Sequence, residues 1–157
     1  MESWLQARSL EGYDSMAPPK ESSGNNNPVV VSVGLNVFKI VDIDIKSATM
    51  SVSAWIRMTW SDKRLAWNDT ETPVVQLAYY ASNDREQTQI WVPDIELYNQ
   101  KQSLYTFADK PAQVWSSGSM FWSRPGELEI LCAFQDLSQH PFDQTECTFE
   151  LGGWAKR

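Results

Sequence analysis

A single histidine and two cysteines are all this sequence has of the side chains that most often hold transition metals or form nucleophilic pairs. His140 sits between Gln139 and Pro141, with no serine or cysteine nucleophile motif around it and no clustered ligands. There is no CxxC, no HExxH and no glycine-rich phosphate loop, so no catalytic centre, metal or cofactor is expected. Basic charge is also scarce. The 13 Lys and Arg face 20 Asp and Glu, and a formal charge of −7 repels phosphate backbones and anionic lipid, which excludes nucleic acid as a partner and favours cations or simple solubility. Long apolar runs are missing too. Val29 to Ile45 is interrupted by Ser32, Gly34, Asn36, Lys39, Asp42 and Asp44, too polar to cross a bilayer. Met1 to Leu10 has no apolar stretch of signal-peptide length, and the chain reads as soluble.

What is abundant is tryptophan. Eight Trp, with five Tyr and six Phe, exceed the needs of one core in 157 residues, so some of them belong at a site or an interface. Residues 1–27 read as a short amphipathic helix over Trp4 to Tyr13, with Leu5, Leu10 and Tyr13 as its apolar positions, followed by a polar loop from Glu21 to Pro28. Residues 28–157 read as one β-sandwich. Val31, Val33, Leu35 and Val37 fall on one face of the first strand. From Ser47 to Asp62, Met50, Val52, Ala54, Ile56, Met58 and Trp60 alternate with mostly polar residues, which makes one face core and the other wet. Further strands are expected over Val74–Tyr80, Gln89–Val92, Leu104–Phe107, Gln113–Trp122, Glu127–Ala133 and Cys147–Leu151, separated or bent by turn signals that include Ser117-Gly118 and Arg124-Pro125-Gly126. The fold class is all-β.

Trp55 lands on the wet face of its strand among serines, a threonine and Arg57, where an indole either is exposed by chance or serves a ligand or a neighbouring subunit. Trp60, on the opposite face, is packing. Trp91-Val92-Pro93-Asp94 reads as a structural corner, because proline removes a backbone donor and an acid can cap the turn. Tyr98, four residues on, projects from that corner or packs against it. Glu127 and Glu129 share a strand face and form the nearest thing to a hydrolase acid pair, although a solvated face explains them as well. Asn68-Asp69-Thr70 is a glycosylation sequon. Cys132 and Cys147, with fourteen residues between them, are by spacing alone either two free thiols or one disulfide.

Four motifs taken together resemble the extracellular domain of the Cys-loop receptors, the pentameric neurotransmitter-gated ion channels, and their nicotinic acetylcholine-like branch in particular. They are Leu10-Glu11-Gly12-Tyr13-Asp14; Trp55-Ile56-Arg57-Met58-Thr59-Trp60-Ser61-Asp62 with Arg64-Leu65-Ala66-Trp67-Asn68; Trp91-Val92-Pro93-Asp94 with Leu97-Tyr98-Asn99; and the segment from Cys132 to Cys147 containing Pro141-Phe142-Asp143. Their order and spacing match along nearly the whole chain. The resemblance implies an immunoglobulin-like β-sandwich behind an N-terminal helix, a homo- or hetero-pentamer of like subunits, and a small cationic agonist bound in an aromatic box between neighbours. By this resemblance Tyr98 and Trp154 lie on the principal side of that box, while Trp55, Phe121 and Ser123 lie on the complementary side. Cys132 and Cys147 form a disulfide, and Pro141, Phe142 and Asp143 belong to the loop that couples binding to channel opening. The family pattern has thirteen residues between the cysteines and an aromatic before the proline; here there are fourteen, with His140 in that place. The third principal-side loop, the last strands and the transmembrane domain do not occur before Arg157, so the resemblance implies a sandwich cut before its last strands, with an unpaired edge.

In a full-length receptor this domain would face the outside of the plasma membrane and touch the membrane only through the missing segments. A soluble pentameric binding protein of the same family is the neighbouring expectation. Readings from other classes are a carbohydrate-binding module stacking sugars on Trp55 and Trp115, and a glycoside hydrolase using Glu127 and Glu129.

Overall fold

A computed structural model describes residues 2–20, 28–70, 73–101, 107–134 and 146–153. Among them one helix, α1 (Glu2–Ser9), precedes seven strands: β1 (Ser32–Asp44), β2 (Thr49–Ser61), β3 (Gln76–Tyr79), β4 (Ile95–Leu97), β5 (Ala112–Trp115), β6 (Ser119–Leu131) and β7 (Leu151–Gly153). Five strands form one sheet in the order β1-β2-β6-β5-β3, and β4 and β7 pair as a second, so the chain is an all-β sandwich with one short N-terminal helix. By contacts it divides into two compact units, residues 1–34, 56–93 and 109–124, and residues 35–55, 94–108 and 125–157.

β2 follows the expected alternation. Met50, Val52, Ala54, Ile56, Met58 and Trp60 are all buried, and from Trp55 onward the residues between them are exposed. Other expectations need correcting. The helix ends at Ser9 instead of reaching Tyr13, because the chain turns through Gly12 at φ +73°, and Leu5 is its only buried residue. Gln89–Val92 is no strand: Ile90, Trp91 and Val92 are buried as irregular backbone, with the Trp91 N–H committed to the Tyr13 hydroxyl (3.0 Å) instead of a ladder. The chain enters its last strand only at Leu151, and 147–150 is irregular. β1 is the terminal strand of its sheet, and Val37 on its supposed core face is exposed, as are Phe38, Ile40, Val41 and Ile43. The strand expected at Leu104–Phe107 lies mostly outside the described residues.

Gln113–Trp122 is broken in two by the turn at Gly118, whereas Arg124-Pro125-Gly126 does not break β6. Gly118 has φ +80°, and a Cβ there would lie 2.7 Å from the Asp62 carbonyl oxygen, so both conformation and space require glycine. Pro125 is tolerated because β6 changes partner there. Its ladder with β5 runs through Gln113↔Phe121 and Val114↔Met120, and beyond it the Pro125 carbonyl accepts from the Ala108 N–H (3.0 Å).

The first unit is organised around a carboxylate. Asp62, wholly buried, caps the 3-10 turn Lys63–Leu65 by accepting from the Arg64 backbone N–H (3.0 Å), and it takes two further bonds from the Arg64 guanidinium (2.9 and 2.7 Å) and one from the Tyr13 hydroxyl (2.7 Å). The guanidinium also lies over the Tyr13 ring, 4.4 Å from its centroid. Trp91, fastened to the same hydroxyl, meets Trp60 edge to face at 6.2 Å. Deeper in this unit Arg124 is buried, stacks on Trp122 and pairs with Asp109 (3.2 Å), while the Trp122 indole donates to the Lys110 carbonyl (2.7 Å).

Burial pushes the Tyr13 phenol well above its ordinary range, and the Asp62 carboxylate that accepts its proton acts in the same direction. A phenol with a raised folded-state pKa contributes stability that is complete below the unfolded value of about 10 and is lost as pH rises beyond it. Tyr13→Phe is therefore expected to flatten the alkaline fall in stability above about pH 10, seen in denaturant titrations against pH. Asp62→Asn should cost about 2–3 kcal/mol at neutral pH in the same titrations, since the buried charge opposite Arg64 is lost and an NH2 donor replaces one of the two acceptor oxygens.

Candidate functional site

Tyr98 follows directly on β4, whose pairing with β7 runs Ile95↔Gly153, Glu96↔Gly152 and Leu97↔Leu151. One more backbone bond, from the Tyr98 N–H to the Glu150 carbonyl (2.7 Å), carries the register past the strand end. The side chain then lies across β7, and its hydroxyl donates to the Gly153 carbonyl (3.0 Å). What makes room is Gly152: a Cβ there would fall 2.7 Å from Tyr98 Cζ and nearer still to its hydroxyl oxygen. Even so, Tyr98 keeps 53% of its surface exposed, so one face of a phenol held at both ends looks outward. Gly153 immediately precedes Trp154, which itself lies outside the described residues, as do His140, Pro141, Phe142 and Asp143.

Trp55 is exposed on the wet face of β2, where the alternation places it, at 39% of its surface. It is not alone there. Phe38 on β1 meets it edge to face with ring centroids 5.8 Å apart, and Phe38 is itself exposed, so the two rings form an outward-facing aromatic pair in the second unit. The signal for Phe38 was present in the sequence, since it sits among Gly34, Asn36 and Asp42 on the phase of β1 opposite to the apolar one, just as Trp55 sits among serines.

Phe121 and Ser123 lie in the first unit, half-buried on the alternate phase of β6 from the buried Met120, Trp122 and Arg124. The Ser123 hydroxyl is buried without a hydrogen-bond partner among the described residues, an unmade bond that usually costs about 1–3 kcal/mol. Asn68 is exposed in an Asx turn, accepting from the Thr70 N–H (3.1 Å) and hydroxyl (2.6 Å). Cys132 and Cys147 are joined as a disulfide with Cα atoms 5.2 Å apart. The Cys132 N–H donates to the carbonyl of Ala48 (2.8 Å), a residue at φ 53° in the turn before β2. Of the acid pair considered for hydrolysis, Glu129 is engaged by Lys101 (2.7 Å) and Glu127 is exposed. Among the described residues no group of three or more His, Cys, Asp or Glu is placed to hold a metal, and no helix is long and apolar enough to cross a membrane.

Gly152→Ala is expected to act on Tyr98 rather than on the fold. The clashing atoms belong to the outer end of a half-exposed side chain that can swing away by giving up its one bond to the Gly153 carbonyl, so stability should fall by no more than about 1 kcal/mol. The fluorine resonance of 3-fluorotyrosine at position 98 should move, and an unchanged resonance would mean the ring does not rest on Gly152.

The sequence model of the neurotransmitter-gated ion-channel ligand binding domain matches residues 2–157. Among curated proteins, the chain is 30% identical over 146 residues to the human neuronal acetylcholine receptor subunit alpha-2, covering 92% of this chain and 26% of that protein. It is 31% identical over 149 residues to the acetylcholine receptor subunit alpha-type acr-16 of Caenorhabditis briggsae, covering 92% of this chain and 28% of that one. For the alpha-type subunit unc-38 of Caenorhabditis elegans the identity is 29% over 136 residues, with coverages of 86% and 25%. The chain thus spans about a quarter of the length of the curated relatives it matches. With β-sheets of this topology, the Cys132–Cys147 disulfide and a family match from residue 2 to 157, the chain belongs to the neurotransmitter-gated ion-channel ligand-binding domains.

Proposed function

We propose that this domain binds a small cationic agonist, acetylcholine or a close quaternary amine, in an aromatic box between neighbouring subunits of a pentamer, on the extracellular side of a plasma-membrane receptor. The observation that carries this reading is the half-exposed Tyr98, pinned by its hydroxyl to the residue before Trp154 with a ring face left open. Tyr98 and Trp154 form the principal wall, and Trp55, with Phe121 and Ser123, forms the complementary wall of the next subunit. The formal charge of −7 suits a cationic ligand.

Magnitudes explain why several rings must converge. A cation over one aromatic face gains about 0.5 to 2 kcal/mol, whereas micromolar affinity requires about 8. Two or three rings supply part of this, and exclusion of water together with polar contacts supplies the rest. The segment containing Pro141, Phe142 and Asp143, bracketed by the disulfide, passes binding on to the pore. Asn68, exposed within its sequon, is glycosylated during secretion.

Trp55→Ala, Tyr98→Ala and Trp154→Ala should each weaken acetylcholine binding by about 3- to 30-fold in equilibrium titrations of the assembled protein, the equivalent of one cation–π contact. Wild-type protein that ignores acetylcholine, or three alanine variants that bind it as wild type does, would remove this reading. Asn68→Gln should abolish a glycosidase-sensitive shift in electrophoretic mobility of the secreted protein.

A further inference from the structure

We propose that Asn99 is a positioning residue that sets the place of Tyr98 and ties it to both segments carrying the disulfide. The inference rests on the reading of Tyr98 as a ligand-facing residue and deepens it. Asn99 stands where the chain changes partners. Up to Tyr98 its backbone pairs with β7 and the residues before it, through Leu97↔Leu151 and the Tyr98 N–H to Glu150 carbonyl bond. From Asn99 onward it pairs with β6: the Asn99 carbonyl accepts from the Leu131 N–H (2.8 Å), Gln100 bridges to Ile130, and the Lys101 N–H donates to the Glu129 carbonyl (2.8 Å).

At such a crossing the ladder lapses, and the Asn99 side chain fills the gap. Its amide nitrogen donates to the carbonyls of Thr148 (2.6 Å) and Leu131 (3.3 Å), and its amide oxygen accepts from the Glu150 N–H (3.2 Å). Leu131 is the residue before Cys132, and Thr148 is the residue after Cys147. One short side chain therefore binds the backbone on both sides of the bridge and stands next to Tyr98. A primary amide at this length offers two donors and an acceptor in one plane, a set that aspartate and serine lack and that glutamine carries one methylene too far out. Gly152 gives the Tyr98 ring its recess and Asn99 holds the backbone from which the ring projects, so displacement of either end is felt at Leu131 and Thr148.

Asn99→Asp is the sharpest test. It keeps the size and the acceptor for Glu150 but turns an oxygen toward two carbonyls. On the chain in its native assembly, without ligand, amide exchange at Leu131 and Glu150 should rise by about tenfold or more, and the fluorine resonance of 3-fluorotyrosine at position 98 should move, while amides of Ile56–Ser61 and Ser119–Arg124 keep their wild-type rates. With acetylcholine as the probe, affinity should fall by about tenfold, and Tyr98→Phe should cost less in the Asn99→Asp background than in wild type. Unchanged local exchange, or a rise spread evenly through the chain as a merely structural loss would produce, overturns the proposal. A wild-type protein that binds no acetylcholine sinks the agonist reading alone. The ligand-free changes then still support the positioning role, and their absence still overturns it.

Discussion

Taking a carboxylate out of water is costly unless every lone pair finds a donor, and Asp62 with its wholly buried side chain sets that requirement on the first unit. The hydrogen-bond partners of Asp62 come from three places in the sequence. Arg64 supplies its backbone and guanidinium from the adjacent turn, Tyr13 supplies its hydroxyl from beyond the helix, and Gly118 accepts the Asp62 N–H through its carbonyl (2.8 Å). Tyr13 in turn receives the Trp91 N–H, so the irregular segment that ends at Pro93 is held by the same network. The motifs around Tyr13, around Asp62 and around Trp91 are thus one structure, and losing the carboxylate at its centre would take an acceptor from a guanidinium, a phenol and the Arg64 backbone N–H together.

The second unit follows a different rule. Phe107 is buried there, but three other aromatic side chains are left partly in water: Trp55, Phe38 and Tyr98 are exposed although each could bury a large apolar surface. Backbone geometry holds them there. β2 alternation points Trp55 away from the core, and the recess over Gly152 with the bond to Gly153 holds Tyr98 flat against β7. Rings held in place by the surrounding backbone have little conformational freedom left to lose in any contact.

The disulfide connects these observations, because its two flanking segments are also the ones that Asn99 binds. A covalent bridge fixes how far the segments can separate, while the amide hydrogen bonds of Asn99 set where they lie against the residue beside Tyr98. The first constraint is covalent, and the second can be broken and remade.

Period-two alternation in the chain determined that this protein is an all-β fold, which residues of β2 are core, and that Trp55 faces outward, because side chains on a strand must point alternately whatever they pack against. The order of its short motifs likewise determined the family and the pairing of Cys132 with Cys147. Only the tertiary structure decided that Gln89–Val92 is no strand, that β6 runs through Pro125, that Phe38 joins Trp55, and that Gly152 and Asn99 hold Tyr98. Each of these depends on a partner distant in sequence: the Tyr13 hydroxyl, the Ala108 N–H, a neighbouring strand, and the backbone groups of Leu131, Thr148 and Glu150. Local propensity is blind to such partners, since a donor's preference for a hydrogen bond says nothing about which acceptor folding will bring to it.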